Sequence, residues 1–147
     1  MNMTREKTAD VRENIIRLWF GMWLERKDRG IAEIFSPDAV YIESWGPEYH
    51  GSAKIAHWFG EWNTRGRVLR WDIERYFHQD DRTVVQWTFE CKMNGEEAGA
   101  FDGMSLIRWT EDGKIGFLQE FGCNLKRYDP YAVGGEPVFE HDDIPWF

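Results

Sequence analysis

Two turn signals, Asn94-Gly95 and Asp112-Gly113, constrain this chain more than any other feature. Such pairs supply the left-handed backbone that a tight hairpin needs. They join runs that alternate with a period of two: Thr83 to Met93, Ala98 to Thr110 and Lys114 to Asn124. Before them, Leu69, Trp71, Ile73 and Phe77 alternate with Arg70, Asp72, Glu74 and His78, and Gln79-Asp80-Asp81 makes a further turn. Successive side chains of a strand face opposite ways, so these runs read as strands. The spacing predicts one antiparallel sheet with long strands near 68–78, 82–93, 98–110 and 114–124. Strands of about ten residues twist enough that the sheet must curve.

The first half carries the helices. Val11, Ile15, Leu18, Trp19, Met22 and Trp23 recur at three- and four-residue spacing and predict one apolar stripe on a long first helix. Asp28 is placed to cap a short second helix, with Ile31, Ile34 and Phe35 facing inward before Pro37. Ser52 can cap a third helix carrying Ile55, Trp58, Phe59 and Trp62 on one face, with Gly66 as terminator. Helices first and a meander afterwards is an α+β arrangement. With 147 residues the chain is read as a single domain over 1–124 and an irregular tail over 125–147. The tail's Tyr128, Tyr131, Phe139, Trp146 and Phe147 imply that it packs on the domain or on a partner subunit.

Between the second and third helices, Ala39, Tyr41, Glu43 and Trp45 alternate with Val40, Ile42 and Ser44 in a short strand that ends at Gly46-Pro47. Glu43 sits among aromatic residues, where a carboxylate must be solvated, paired or neutral. Glu120 occupies a matching place in the last strand, beside Leu118 and Phe121. If those strands are neighbours, both acids reach one cavity, and desolvation together with mutual repulsion raises their pKa values. A carboxylate tuned in this way serves as a general base near neutral pH. The alternative for each acid is an ordinary solvated or arginine-paired role. Asp102 alternates with Phe101, so an inward Phe101 turns Asp102 away.

Composition narrows the chemistry. Aromatic residues make up 16% of the chain and tryptophans number nine, which means a bulky core, a lined cavity, or both. Trp19, Trp23, Trp58, Trp62 and Trp87 would meet if both long helices covered one sheet face. The net charge of −8, with no basic cluster, argues against nucleic acid and anionic membrane as partners. His50, His57, His78 and His141 show no metal-ligand spacing, and Cys91 and Cys123 form no CxxC, so neither metal nor cofactor is expected. The N-terminus is charged and lacks the apolar core of a signal peptide, and no apolar run approaches membrane-spanning length. A cytoplasmic protein with reduced thiols is the expectation.

Several short motifs, in this order and spacing, resemble the nuclear transport factor 2-like superfamily, specifically its SnoaL-like and ketosteroid isomerase-like members. They are Phe35-Ser36-Pro37-Asp38-Ala39, Trp45-Gly46-Pro47, Tyr49-His50-Gly51 followed by Ile55 and Trp58-Phe59, and the Asp112-Gly113-Lys114-Ile115 turn. The resemblance covers about residues 8 to 131 and implies a cone: a strongly curved, mostly antiparallel sheet wrapped around three helices, with an apolar pocket at one end. Many members are homodimers, and the sheet's other face, expected to carry Val84, Gln86, Met104, Leu106, Gln119 and Phe121, is apolar enough to predict a two-fold dimer through it. Glu43 falls where ketosteroid isomerases carry their aspartate base, and Glu120 where limonene epoxide hydrolases carry a catalytic carboxylate. Trp19 stands at the isomerases' oxyanion-hole tyrosine and Ser105 at their protonated aspartate. Val85 and Trp87 replace the epoxide hydrolases' arginine and aspartate.

The expected pocket is therefore lined by Trp19, Trp23, Tyr41, Glu43, Trp45, Trp58, Trp62, Trp87, Phe101, Ser105, Leu118 and Glu120. Its expected occupant is an apolar or aromatic small molecule. One reading is a proton-transfer enzyme, an isomerase or cyclase acting on a flat carbonyl compound. Glu43 is then the base, with Trp19 and Ser105 as donors to the developing oxyanion and Glu120 beside it. The other readings are a non-catalytic binder of an aromatic or cationic ligand, where rings beside carboxylates suit an amine or quaternary ammonium, and a dimeric accessory module whose pocket is filled core.

Overall fold

The computed structural model describes residues 2–140, so His141, Pro145, Trp146 and Phe147 of the expected tail lie outside the described residues. In chain order the elements are α1 (Asn2–Glu25), α2 (Ile31–Ile34), β1 (Phe35–Ile42), β2 (Glu48–His50), α3 (Ser52–Arg65), β3 (Gly66–Gln79), β4 (Arg82–Met93), β5 (Gly99–Trp109) and β6 (Ile115–Asn124). The strands form one open six-stranded sheet in the order β2-β1-β6-β5-β4-β3. Only β1 and β6 run parallel; the other neighbours are antiparallel. The helices lie against the concave face, giving the α+β cone. No helix among the described residues is long and apolar enough to cross a membrane.

The curvature has a local cause. Pairing of β3 with β4 shifts register twice, between Val68 and Arg70 and again between Ile73 and Arg75. Each bulge inserts a residue, bends the strand and reverses which side chains face inward. Val68 and Trp71 are therefore buried, whereas Leu69 and Phe77, expected on the inner face, are exposed. A third shift, between Phe35 and Val40 in the pairing of β1 with β6, accommodates Pro37. The stretch Ser36-Pro37-Asp38 is thus the irregular start of a strand. Proline is tolerated in a sheet at such a bulge.

The α1 stripe is rotated from the expected one. Ile16, Trp19, Phe20 and Trp23, at the spacing of a single helix face, are buried together with Met22, while Val11 and Leu18 are 49% and 36% exposed. The ring of Phe20 stacks on Trp71 of β3 at 3.9 Å, which fixes that rotation. Asp28 behaves as expected: its Oδ1 accepts from the backbone N–H groups of Gly30 and Ile31, 2.8 Å each. Ser52 does not cap α3. The cap is Gly51, with a φ of 91° and no side-chain bond, and a Cβ there would meet the Pro37 carbonyl at 3.0 Å. Gly66 ends α3 by donating its N–H to Trp62 O.

The core runs the length of the cone but changes character along it. At one end Phe35, Ile107, Trp109, Ile115 and Leu118 fill the interior completely. Phe101 faces inward on β5, so Asp102 faces outward, where it accepts from Thr88 Oγ1 at 2.9 Å and pairs with Arg127 of the tail at 3.3 Å. Met104 and Phe121 are exposed on that convex face. The described part of the tail folds back on itself, with an ion pair between Lys126 and Glu140 at 3.0 Å.

Candidate functional site

At the other end the cone is hollow. A cavity of about 770 Å³ opens between the end of α3, the β1–β2 turn and the far ends of β4, β5 and β6. Its walls are mostly aromatic: Trp23, Trp45, Trp58, Trp62, Trp71, Tyr49, Phe89 and Phe101. The rings support one another, with Trp23 packed against Trp58 at 5.0 Å and against Trp62 at 5.3 Å, and Tyr49 stacked on Trp58 at 4.5 Å. Such rings are held rigidly, so the space between them does not collapse. Met93, Cys91 and Cys123 add sulfur at the mouth. Burial raises the Cys91 thiol, with Glu90 and Glu96 adding to the shift.

Glu43 and Glu120 both line this cavity. Ile42 pairs with Gln119 across the parallel β1–β6 ladder, so the next residue on each strand, Glu43 and Glu120, points to the same concave side. Glu43 lies just past the end of β1, in a turn closed by its N–H to Pro47 O at 2.9 Å and by Gly46 N–H to its own carbonyl at 3.1 Å. Its Oε2 accepts the Tyr49 hydroxyl at 2.7 Å. Desolvation raises the Glu43 pKa, opposed by the Tyr49 hydroxyl, Trp45 and the Arg65 guanidinium. Arg65 also lines the cavity, and Glu61 on its own helix holds it at 2.7 and 3.0 Å.

Glu120 is in the deeper environment. Its carboxyl touches the cavity and keeps some access to solvent, yet protein surrounds it on every other side. Desolvation pushes its pKa up to about 8, opposed by the Tyr41 hydroxyl nearby, with the Glu43 charge a smaller addition to the rise. Tyr41 is wholly buried, and desolvation followed by the Glu120 charge holds its own pKa well above the usual value. Its hydroxyl lies close to both Trp19 and Glu120, but neither contact closes as a formed hydrogen bond. Burial thus favours the protonated form at Glu120, whereas Glu43 is held toward its charged form by Tyr49, Trp45 and Arg65. Among the described residues no three His, Cys, Asp or Glu side chains come together as metal ligands would.

Of the twelve expected lining residues, the structure brings Trp23, Glu43, Trp45, Trp58, Trp62, Phe101 and Glu120 to the cavity. Trp45 is a rim residue, 78% exposed, because the turn carries it beyond the strand. Trp19, Tyr41, Trp87, Ser105 and Leu118 are instead core beneath it. The Ser105 hydroxyl accepts the Trp87 indole N–H at 2.9 Å, so the two satisfy each other and donate nothing to a ligand. Tyr49, Trp71, Phe89 and Arg65 were not foreseen. Trp71 and Phe89 carried the signal of inward alternation, and Arg65 lay one residue before the helix terminator.

A sequence model of the SnoaL-like domain matches residues 16–116. The chain belongs to the SnoaL-like family. No sequence among curated proteins matches it. Several solved structures share the fold. A hypothetical protein from Catenulispora acidiphila with a ketosteroid isomerase-like fold, in complex with trimethylamine, is 18% identical with a TM-score of 0.63, over 76% of this chain and 85% of that one. A candidate SnoaL-like polyketide cyclase from Mesorhizobium loti is 18% identical with a TM-score of 0.62, over 77% and 97%. An epoxide hydrolase from M. tuberculosis is 12% identical with a TM-score of 0.68, over 78% and 84%. At these identities the likeness establishes the fold, and the SnoaL-like cavity must be read from its own residues.

Proposed function

We propose that this SnoaL-like protein is a proton-transfer enzyme of isomerase or cyclase type that acts on a flat, apolar carbonyl compound. The observation that carries the reading is the pair of carboxyl groups on one wall of an aromatic cavity, one bonded to a tyrosine hydroxyl and the other more deeply desolvated. Ionised Glu43 takes a proton from the carbon next to the carbonyl, and the electron pair moves onto the carbonyl oxygen. The Glu120 hydroxyl donates to that oxygen as its charge develops, the role Trp19 and Ser105 were expected to share. Glu43 then returns the proton at the new position, so the reaction needs no co-reactant. A preorganised donor in a water-poor site stabilises the oxyanion more than water does.

The test needs only a carbonyl compound that the cavity accepts, found by the rise it causes in melting temperature. Such a compound should take up deuterium from D2O at the carbon next to the carbonyl when the protein is present. Glu43→Gln should slow that exchange by about 10²–10⁴-fold, the usual worth of a general base. The same variant should keep the rise in melting temperature, because the amide preserves the shape. Undiminished exchange in Glu43→Gln would sink the assignment.

One observation favours a second reading. The cavity sets an ionised carboxylate among indole rings, a combination that suits a cationic amine, and the Catenulispora neighbour was crystallised with trimethylamine. On that reading Glu43→Gln weakens binding of trimethylammonium by about tenfold or more, and no deuterium exchange is seen with any carbonyl compound.

A further inference from the structure

We infer that Tyr49 is a positioning residue, and that its hydroxyl decides which member of the carboxyl pair carries the charge. Three observations meet on it. Its hydroxyl donates to Glu43 Oε2 at 2.7 Å. Its ring is clamped flat on Trp58 at 4.5 Å with an interplanar angle of 15°, so the hydroxyl has little freedom to swing away. Its backbone pairs with Tyr41 across the β1–β2 ladder, and Ile42 pairs with Glu48. Base and tyrosine therefore sit on the two arms of one short hairpin, closed by the Glu43–Pro47 and Gly46–Glu43 backbone bonds.

The contrast with Glu120 gives the inference its content. Each carboxyl has a tyrosine beside it: Tyr49 for Glu43 and Tyr41 for Glu120. The Tyr49 bond is formed, and the Tyr41 hydroxyl is left without a partner. A phenol O–H donates to a carboxylate and so favours its charged form. Desolvation already favours the proton on Glu120, and two carboxyl groups on one wall do not both ionise readily, so the formed donor at Glu43 adds to the difference and leaves the charge there. Other groups bear on the pair. Arg65 of α3 favours the Glu43 anion from the mouth, Trp45 of the turn does the same, and Glu43 itself favours the neutral form of Glu120. Arg65 is already engaged with Glu61 and is exposed to solvent, and the effect of Trp45 is smaller, which leaves Tyr49 as the main direct contact.

The inference deepens the reading of Glu43 as base, yet its test reads protonation directly and needs no turnover, so either can fail alone. Glutamate side chains labelled with ¹³C at the carboxyl carbon would be titrated by NMR in the intact protein, with Glu43→Gln and Glu120→Gln used to assign the two resonances. In Tyr49→Phe the ring, and hence the stacking on Trp58, is kept. The Glu43 carboxyl should then titrate higher by about one pH unit or more, the scale of a hydrogen bond to a charged group. Glu120 should titrate lower, since its neighbour now holds the proton more readily. Tyr49→Leu, which also loses the stacking, should show the same direction. A Glu43 midpoint unchanged in Tyr49→Phe would overturn the inference and leave Tyr49 as a wall of the cavity. A shift only in Tyr49→Leu would overturn it equally, because stacking would then be what matters.

Discussion

The two ends of the cone are built from the same residue types and treat them in opposite ways. At the filled end, Thr83 of β4 accepts the Trp109 indole N–H at 2.9 Å. The same hydroxyl is 2.8 Å from His78 Nδ1, whose Nε2 lies 3.5 Å from Glu13 of α1. Ser105 does the same service for Trp87. At the hollow end, the indole N–H groups of Trp23 and Trp71 are buried without a partner. Both carboxyl groups there have raised pKa values. A buried unpaired donor costs about 1–3 kcal/mol. The filled end thus pairs its indoles, with the Ser36 hydroxyl beside Phe35 left over, whereas the indoles nearer the cavity stay unpaired.

The sharpest way to break this division is to remove one indole from each end. Trp87 is 1% exposed and hydrogen-bonded, so Trp87→Ala should lower unfolding stability by about 3–5 kcal/mol in urea titrations. Part of that loss is the Ser105 hydroxyl left without its donor. The backbone nearby is shaped to the ring, since a Cβ on Gly103 would collide with it. Trp45, on the rim, should be replaceable by Ala within about 0.5 kcal/mol. Equal losses at both positions would mean that the hollow end is as much a part of the stabilising core as the filled end.

Next in size is the charge at the hollow end. The Glu120 pKa is about 8 in the folded protein against an ordinary 4.5. The folded state therefore binds this proton more tightly than the unfolded chain does. The resulting stability is complete below pH 4.5, falls as pH rises, and is gone above about pH 8. Glu120→Gln keeps a donor and cannot ionise, so it should remove this part of the pH dependence. At pH 8.5 it should be more stable than the wild type by about 1–3 kcal/mol, a figure reduced for the solvent the cavity admits. Chemical unfolding at pH 5 and pH 8.5 measures both arms. An unchanged slope would show that Glu120 is solvated like a surface residue.

How far the sequence could be read follows the same division. The meander was legible because hairpin glycines and strict alternation are local signals, and the observed strands start and stop within two residues of the expected ones. The exception was the inner face of β3. Its two bulges answer to the curvature of the whole sheet, so no short window of sequence announces them. Glu43 and Glu120 could be brought together by parity alone once β1 and β6 were neighbours. Which indoles face space and which face one another depends on helix rotation, set by the stacking of Phe20 on Trp71. That is why Trp19 and Trp87 were expected at the cavity wall and lie instead in the packed core. Tyr49 escaped notice because its partner, Glu43, is six residues away across a turn, a contact that no periodicity encodes.

The smallest expected effect tests the boundary between the inner and outer faces of the sheet. Asp102 is an acid in the same strand segment as Phe101 and only one residue away from a cavity wall. Its side chain turns outward, to the Thr88 hydroxyl at 2.9 Å and to Arg127 at 3.3 Å. The ion pair is open to solvent on both sides, 58% and 40% exposed, so screening and the entropy of two long side chains offset most of its attraction. Asparagine keeps an acceptor for Thr88. Asp102→Asn should therefore change stability by less than about 0.5 kcal/mol. It should also leave the cavity's affinity for a neutral apolar fluorophore such as N-phenyl-1-naphthylamine unchanged. Weaker fluorophore binding in Asp102→Asn would mean that the outer face and the tail anchored there by Arg127 help shape the cavity. The division between a stabilising frame and an independent hollow end would then fail at its thinnest wall, one strand thick.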